Sequence, residues 1–176
     1  SVFFFAPSLG TGFTPERFPL LSAFFARVES DVEKLVDAAK LHWRRPRPPY
    51  ARDKDDSYPS GHAAFAASAA IILSEMMPEK RYVIFAQARA FAENRIILGV
   101  HYPSDISAGW ITGTLAVAAM MREKRYQSDF ATAKAELRRQ LAEASAVRRT
   151  SLRKTLRPGQ FVPQSFTRAA YHAYRD

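Results

Sequence analysis

Six side chains able to bind an anion or move a proton fall into three short blocks of this chain. The first is Lys-x6-Arg-Pro, with Lys40, Arg47 and Pro48. The second is Pro-Ser-Gly-His, from Pro59 to His62. The third is Arg-x5-His-x3-Asp, with Arg95, His101 and Asp105. Three cations, two imidazoles and one carboxylate are the equipment for holding a tetrahedral oxyanion and passing it through a histidine.

The chemistry dictates a role for each. Ser60-Gly61-His62 reads as a helix start, where free N–H groups and the helix dipole favour an anion. Gly61 lets the anion approach the backbone, and the Ser60 hydroxyl offers one more hydrogen bond. Lys40 gives a compact charge and Arg47 a planar fork, stiffened by Pro46 and Pro48. Arg95 adds a third cation. Gly99 offers the bend that turns His101 back toward the anion, and Asp105 holds one imidazole nitrogen so that the other presents a lone pair. The expected mechanism is attack by His101 on phosphorus, proton donation by His62 to the leaving alkoxide, and hydrolysis of the phosphohistidine with His62 as base.

The elements that must position these residues are helices. The chain has 176 residues, 47% of them hydrophobic, with 13 Phe and 7 Tyr, enough for one domain with a real core. Long Ala-, Leu- and Glu-rich stretches favour helix, and no alternating Val/Ile/Thr blocks suggest strands. The apolar spacing predicts helices over Leu20 to about Arg44, Gly61 to about Met77, Glu79 to about Leu98 with Gly99 as stop, Ser104 or Asp105 to about Arg125, and Ser128 to about Thr150. Phe24, Phe25, Val28, Val32, Leu35, Val36 and Ala39 form the inner stripe of the first of these. In the last, Ala131, Leu137, Leu141 and Ala144 face inward, and Lys134, Glu136, Arg138, Arg139 and Glu143 outward. Thr14-Pro15-Glu16 resembles a helix start. The expected fold is an all-α, single-domain helical bundle with the site at helix ends. Residues 1–125 form its core, and 126–176 a charged helix and tail that pack on it.

Composition narrows the function further. The net charge of +9 attracts phosphate esters, nucleic acid or acidic membranes. Arg44, Arg45, Arg47 and Arg52 read as a funnel for an anionic substrate. Arg148, Arg149, Arg153, Lys154 and Arg157 read as a solvated face or tail. No cysteine is present, which excludes disulfides and thiolate metal sites. Asp53, Asp55 and Asp56 lack a calcium-loop pattern and read as a solvated acidic loop, so no metal is expected. The apolar runs Ala63–Leu73 and Ile106–Met121 fall short of the roughly 20 residues of a membrane span and read as core helices. Ser1–Ala6 has neither the basic start nor the length of a signal peptide. His42 and Trp43 read as surface or packing residues, as does Tyr102.

Taken together and in order, the three blocks resemble the signature of the type 2 phosphatidic acid phosphatase and vanadium haloperoxidase superfamily. The departure is Asn94, where that family usually has Ser. Tyr58-Pro-Ser-Gly-His62 and Gly99-x-His101-x-x-Ser104-Asp105 are similar to the versions in soluble bacterial class A non-specific acid phosphatases. The resemblance covers about Val28 to Met121. It implies a helical fold, a periplasmic or secreted location, no metal or other cofactor, small-molecule phosphate monoesters as substrates, inhibition by vanadate and often a homo-oligomer. Such enzymes usually carry more chain before the first block than residues 1–39, which points to a missing segment or a different lid.

Three competing readings follow. A vanadate-dependent haloperoxidase would hold vanadate on His101 as cofactor, but such enzymes tend to be longer. A lipid phosphate phosphatase would work at an anionic membrane surface met by the basic tail. A nucleic-acid-binding module would exploit the net charge, but no binding motif for a specific nucleic acid is recognisable and the paired histidines would be unexplained.

Overall fold

From Gly61 to Met76 the chain is apolar on nearly every side, with alanine at 63, 64, 66, 67, 69 and 70. A helix without a polar face must be covered all round. That segment, α3 (Gly61–Met76), is the central helix of the computed structural model, which describes residues 1–10, 12–52 and 55–155. Around it lie the one-turn α1 (Ala6–Leu9), α2 (Pro19–Trp43), α4 (Arg81–Ile97) and α5 (Pro103–Met120), and the chain continues into α6 (Lys124–Thr155). Short 3-10 turns cover Val2–Phe5 and Pro78–Lys80, and no strand occurs among the described residues. The protein is all-α, as its sequence predicts. Residues Ser1–Leu141 form one compact unit. The other unit, from Ala142 to Asp176, is described only as far as Thr155, as helix. The tail expected to pack on the core lies beyond that point.

Each neighbour meets α3 through a different kind of residue. α4 turns Ile84, Ala88 and Ala92 inward at four-residue steps. α2 buries Leu21, Phe24, Phe25, Val28, Val32 and Val36. Leu35, expected on that stripe, is half exposed instead, because the true stripe steps from Val32 to Val36. α5 packs closest. A Cβ added to Gly109 would lie 2.6 Å from the Ser60 carbonyl oxygen and 2.7 Å from Ala63 Cβ, and one added to Gly113 would strike the Ala64 carbonyl. Ser68 Oγ donates to the Gly113 carbonyl across the same crossing (3.1 Å). Two glycines four apart against a row of alanines let the backbones approach as bulkier residues would not.

Several helix ends differ from expectation. Residues 15–17 form a turn rather than a helix start, and α2 begins at Pro19. No side chain of its own caps that start. Instead the Glu136 carboxylate of α6 accepts the N–H groups of Leu20 (3.2 Å) and Leu21 (2.8 Å). This explains why Glu136, expected outside, is buried. In α6 Ala133 and Leu137 are buried and Leu141 packs against the core, while Ala131 is exposed. α5 starts at Pro103 with Tyr102 as its cap residue, so Asp105 sits in the first turn rather than at the cap.

Candidate active site

α2 ends one residue earlier than its prolines require. Arg44 takes the left-handed conformation (φ 44°, ψ 41°), and its N–H donates to the Lys40 carbonyl (2.9 Å). This places Lys40 in the last turn and swings the chain through Pro46 to Arg47. The Arg47 Nη1 donates to the Val100 carbonyl (2.7 Å) and lies 3.1 Å from His101 Nε2. Its Nε and Nη2 reach the two carboxylate oxygens of Asp55, each at 2.9 Å. Lys40 Nζ donates to the Oδ2 of the same carboxylate (2.8 Å).

α3 presents its N-terminus to the same place. Ser60 is fully buried, and its Oγ accepts the Ala63 N–H (3.3 Å), the expected cap. That bond leaves the hydroxyl proton unused, but the lining of the cavity begins at Gly61 rather than at Ser60. The Tyr58–Pro59 peptide just before it is cis.

α4 ends beside α5 through Gly99, whose φ of 67° is the left-handed turn the sequence predicts. The turn carries the chain from Arg95 to His101. Arg95 Nε is buried without a hydrogen-bond partner. His101 is buried, and its Nδ1 lies 3.2 Å from Asp105 Oδ2. Asp105 is completely buried and also accepts the Tyr102 N–H (2.9 Å) and the Arg45 Nη1 (2.8 Å). An ionised carboxylate only accepts hydrogen bonds, so Nδ1 carries the imidazole proton and Nε2 the lone pair. Arg47 donates to that lone pair.

Lys40, Arg47, Gly61, His62, Arg95 and His101 all line one cavity of about 500 Å³. Glu29, Glu33 and Asp37 of α2 line it too, with Phe65 and Phe91 as its apolar part. Loss of water lowers the pKa of His101, and Asp105 only partly offsets this. His62 is pulled to about 4, first by desolvation and then by Arg95, His101 and Arg47. Both shifts favour the neutral imidazole near neutral pH. Among the described residues no group of three or more His, Asp or Glu is arranged to hold a metal ion.

Two residues of the site carry no legible signal in the sequence. Arg45 reads as part of the funnel, yet it supports Asp105, and its guanidinium carbon stacks 4.2 Å above the Tyr102 ring. Asp55 reads as part of a solvated loop, yet it pairs with Lys40 and Arg47 in the cavity. Nothing in the sequence distinguishes it from Asp53 and Asp56. Of the four funnel arginines Arg47 lines the cavity, while Arg44 and Arg52 are exposed. Asn94 is exposed on α4 and is absent from the lining; His42 is exposed, edge-on to Trp43.

Residues 20–129 match the family model described as the PAP2 superfamily. An acid phosphatase of Zymomonas mobilis is 33% identical over 115 residues, 58% of this chain and 44% of the relative. A non-specific acid phosphatase of Salmonella typhi is 33% identical over 93 residues, 53% of this chain and 37% of the relative. An undecaprenyl-diphosphatase of Sulfolobus acidocaldarius is 31% identical over 99 residues, 54% of this chain and 48% of the relative. The chain spans less than half the length of each of these curated relatives. Among the described residues no helix is long and apolar enough to cross a membrane.

Proposed function

The chain belongs to the PAP2 superfamily, and on that premise we propose that it is a phosphatase hydrolysing phosphate monoesters through a phosphohistidine intermediate. The observation that carries the proposal is the shared cavity: two imidazoles and three cations line one space, with His101 held by Asp105 at Nδ1 and met by Arg47 at Nε2. Relatives named acid phosphatase support the substrate class.

Arg47 Nη1 moves from His101 Nε2 to the phosphoryl oxygens, the freed Nε2 attacks phosphorus, and the bond from phosphorus to the ester oxygen breaks. Asp105 stabilises the positive charge that grows on the ring, and Arg45 donates to Asp105. Lys40, Arg47, Arg95 and the Gly61 N–H neutralise the phosphoryl oxygens. These cations supply the charge stabilisation for which other phosphatases use a metal ion, so the reaction runs without one. His62 gives its proton to the leaving alkoxide, then takes one from water as that water attacks the phosphohistidine. The P–N bond breaks, inorganic phosphate departs and His101 is regenerated. A dianion beside His62 raises its pKa from the value of the empty site, so substrate binding itself charges the general acid.

The test is p-nitrophenyl phosphate turnover from acidic to neutral pH, with and without a chelator, and alkaline-quench trapping of a labelled phosphohistidine. Absence of turnover across that range, or halide oxidation with vanadate and peroxide in its place, overturns the reading. A second reading, a lipid-linked diphosphate as substrate, is favoured by the Sulfolobus relative's name and by Phe65 and Phe91 in the cavity. Lipid phosphates in the same assay discriminate the two. The reading extends to a periplasmic or secreted location, tested by fractionation, and to a homo-oligomer, tested by sedimentation.

A further inference from the structure

Asp55 stands in the cavity in the manner of a ligand. Its two oxygens span the Arg47 fork, each at 2.9 Å, and one of them is shared with Lys40 at 2.8 Å. Two adjacent oxygens of a phosphate present the same spacing and charge to an arginine fork. Both cations therefore have their anion-binding faces filled before any substrate arrives.

The surroundings of Asp55 separate it from a structural partner. Asp105, which holds His101, is wholly buried, and moving its charge would strand it. The Asp55 side chain is 56% exposed, while those of Lys40 and Arg47 are 18% and 8% exposed. Its carboxylate can turn into water with little loss of hydration, leaving two cations facing the cavity. The contact is thus made by an anion that exchanges readily. One negative charge also leaves the cation pair with a net positive charge, so a dianion gains more from displacing it than a monoanion does.

We propose that Asp55 is an internal occupant of the phosphate site, which substrate must displace and which competes with product phosphate for Lys40 and Arg47. Asp55 is then a specificity-determining residue: it weakens binding of inorganic phosphate and favours dianionic monoesters. The inference rests on the phosphatase reading above.

The test is calorimetric titration of the full chain with inorganic phosphate, alongside p-nitrophenyl phosphate kinetics, for wild type, Asp55→Asn, Asp55→Ala and Asp55→Glu. Removing the competing charge is expected to tighten phosphate binding on the order of tenfold, the scale of two partly exposed ion pairs. KM and the phosphate inhibition constant fall with it. Asp55→Glu, which keeps the charge, binds phosphate more weakly than either neutral variant. Phosphate binding that is unchanged or weaker in both neutral variants, with wild type active, overturns the inference: Asp55 then merely braces Lys40 and Arg47, and the phosphatase reading stands. A wild type that neither binds phosphate nor turns over ends both. Asp55→Ala could lose structure as well as charge. Melting curves detect that, and the isosteric Asp55→Asn then decides.

Discussion

The backbone N–H of Ser60 donates to the backbone carbonyl of Asp105 across 3.0 Å, tying the start of α3 to the first turn of α5. One half of the site, Gly61 and His62, is thereby registered against the other, His101 and Asp105. The close crossing at Gly109 and Gly113 makes this bond reachable.

Gly109→Ala therefore acts on both stability and chemistry. The added methyl meets Ser60 and Ala63 and forces the helices apart, at a cost of about 1–3 kcal/mol. Urea denaturation reads that loss. At a temperature where the variant is folded, kcat is expected to fall more than in Leu137→Ala, a core truncation remote from the motif residues.

His101→Ala is expected to abolish turnover. Asp105→Asn should lower kcat on the order of a hundredfold or more, because the amide can present its N–H to Nδ1 and favour the wrong tautomer. KM for p-nitrophenyl phosphate should change little, since Lys40, Arg47 and Arg95 remain. Steady-state kinetics on the two variants check this, and near-normal activity in His101→Ala removes it as nucleophile.

His62 gives a signed pH dependence. Its folded pKa of about 4 lies below the ordinary value of 6.5, so the unfolded chain binds more protons between those limits. Its contribution to stability is complete above pH 6.5 and is lost as pH falls toward 4. Melting temperature should decline across that window, less steeply in His62→Asn. Saturating vanadate should move the His62 titration upward in an NMR experiment; a downward or absent shift contradicts its role as the acid.

Glu136→Gln tests the carboxylate that caps α2 from α6. The amide keeps one acceptor and loses the charge beside the helix start, for an expected loss of about 1 kcal/mol in denaturant unfolding. Catalytic constants should hold, because the change lies at the opposite end of α2 from Lys40.

Arg44→Gly should stabilise the protein by about 1 kcal/mol, since arginine is held at φ 44° where glycine is unstrained. A melting temperature above wild type checks it. A decrease would mean that the Arg44 Nε bond to the Leu41 carbonyl outweighs the strain.

The sequence shows much of this because the decisive features are local. Apolar faces at fixed steps mark α2 and α4, unbroken apolar runs mark α3 and α5, Gly99 marks a helix end, and Ser60 marks a helix start. The three blocks mark the lining of the cavity because each sits at such an end. Asp55, Arg45 and Glu136 are illegible for the opposite reason. Each acts on a residue distant along the chain, and no spacing rule separates Asp55 from its neighbours or Glu136 from the solvated charges of α6. Arg44 is hidden too, since arginine carries no signal for a left-handed turn.

α3 has protein against almost its whole length. The fractional charge at its Gly61 tip belongs to the backbone, so no proton uptake or loss can remove it. Acidification that charges the imidazoles should leave this part of the pull on an incoming dianion intact.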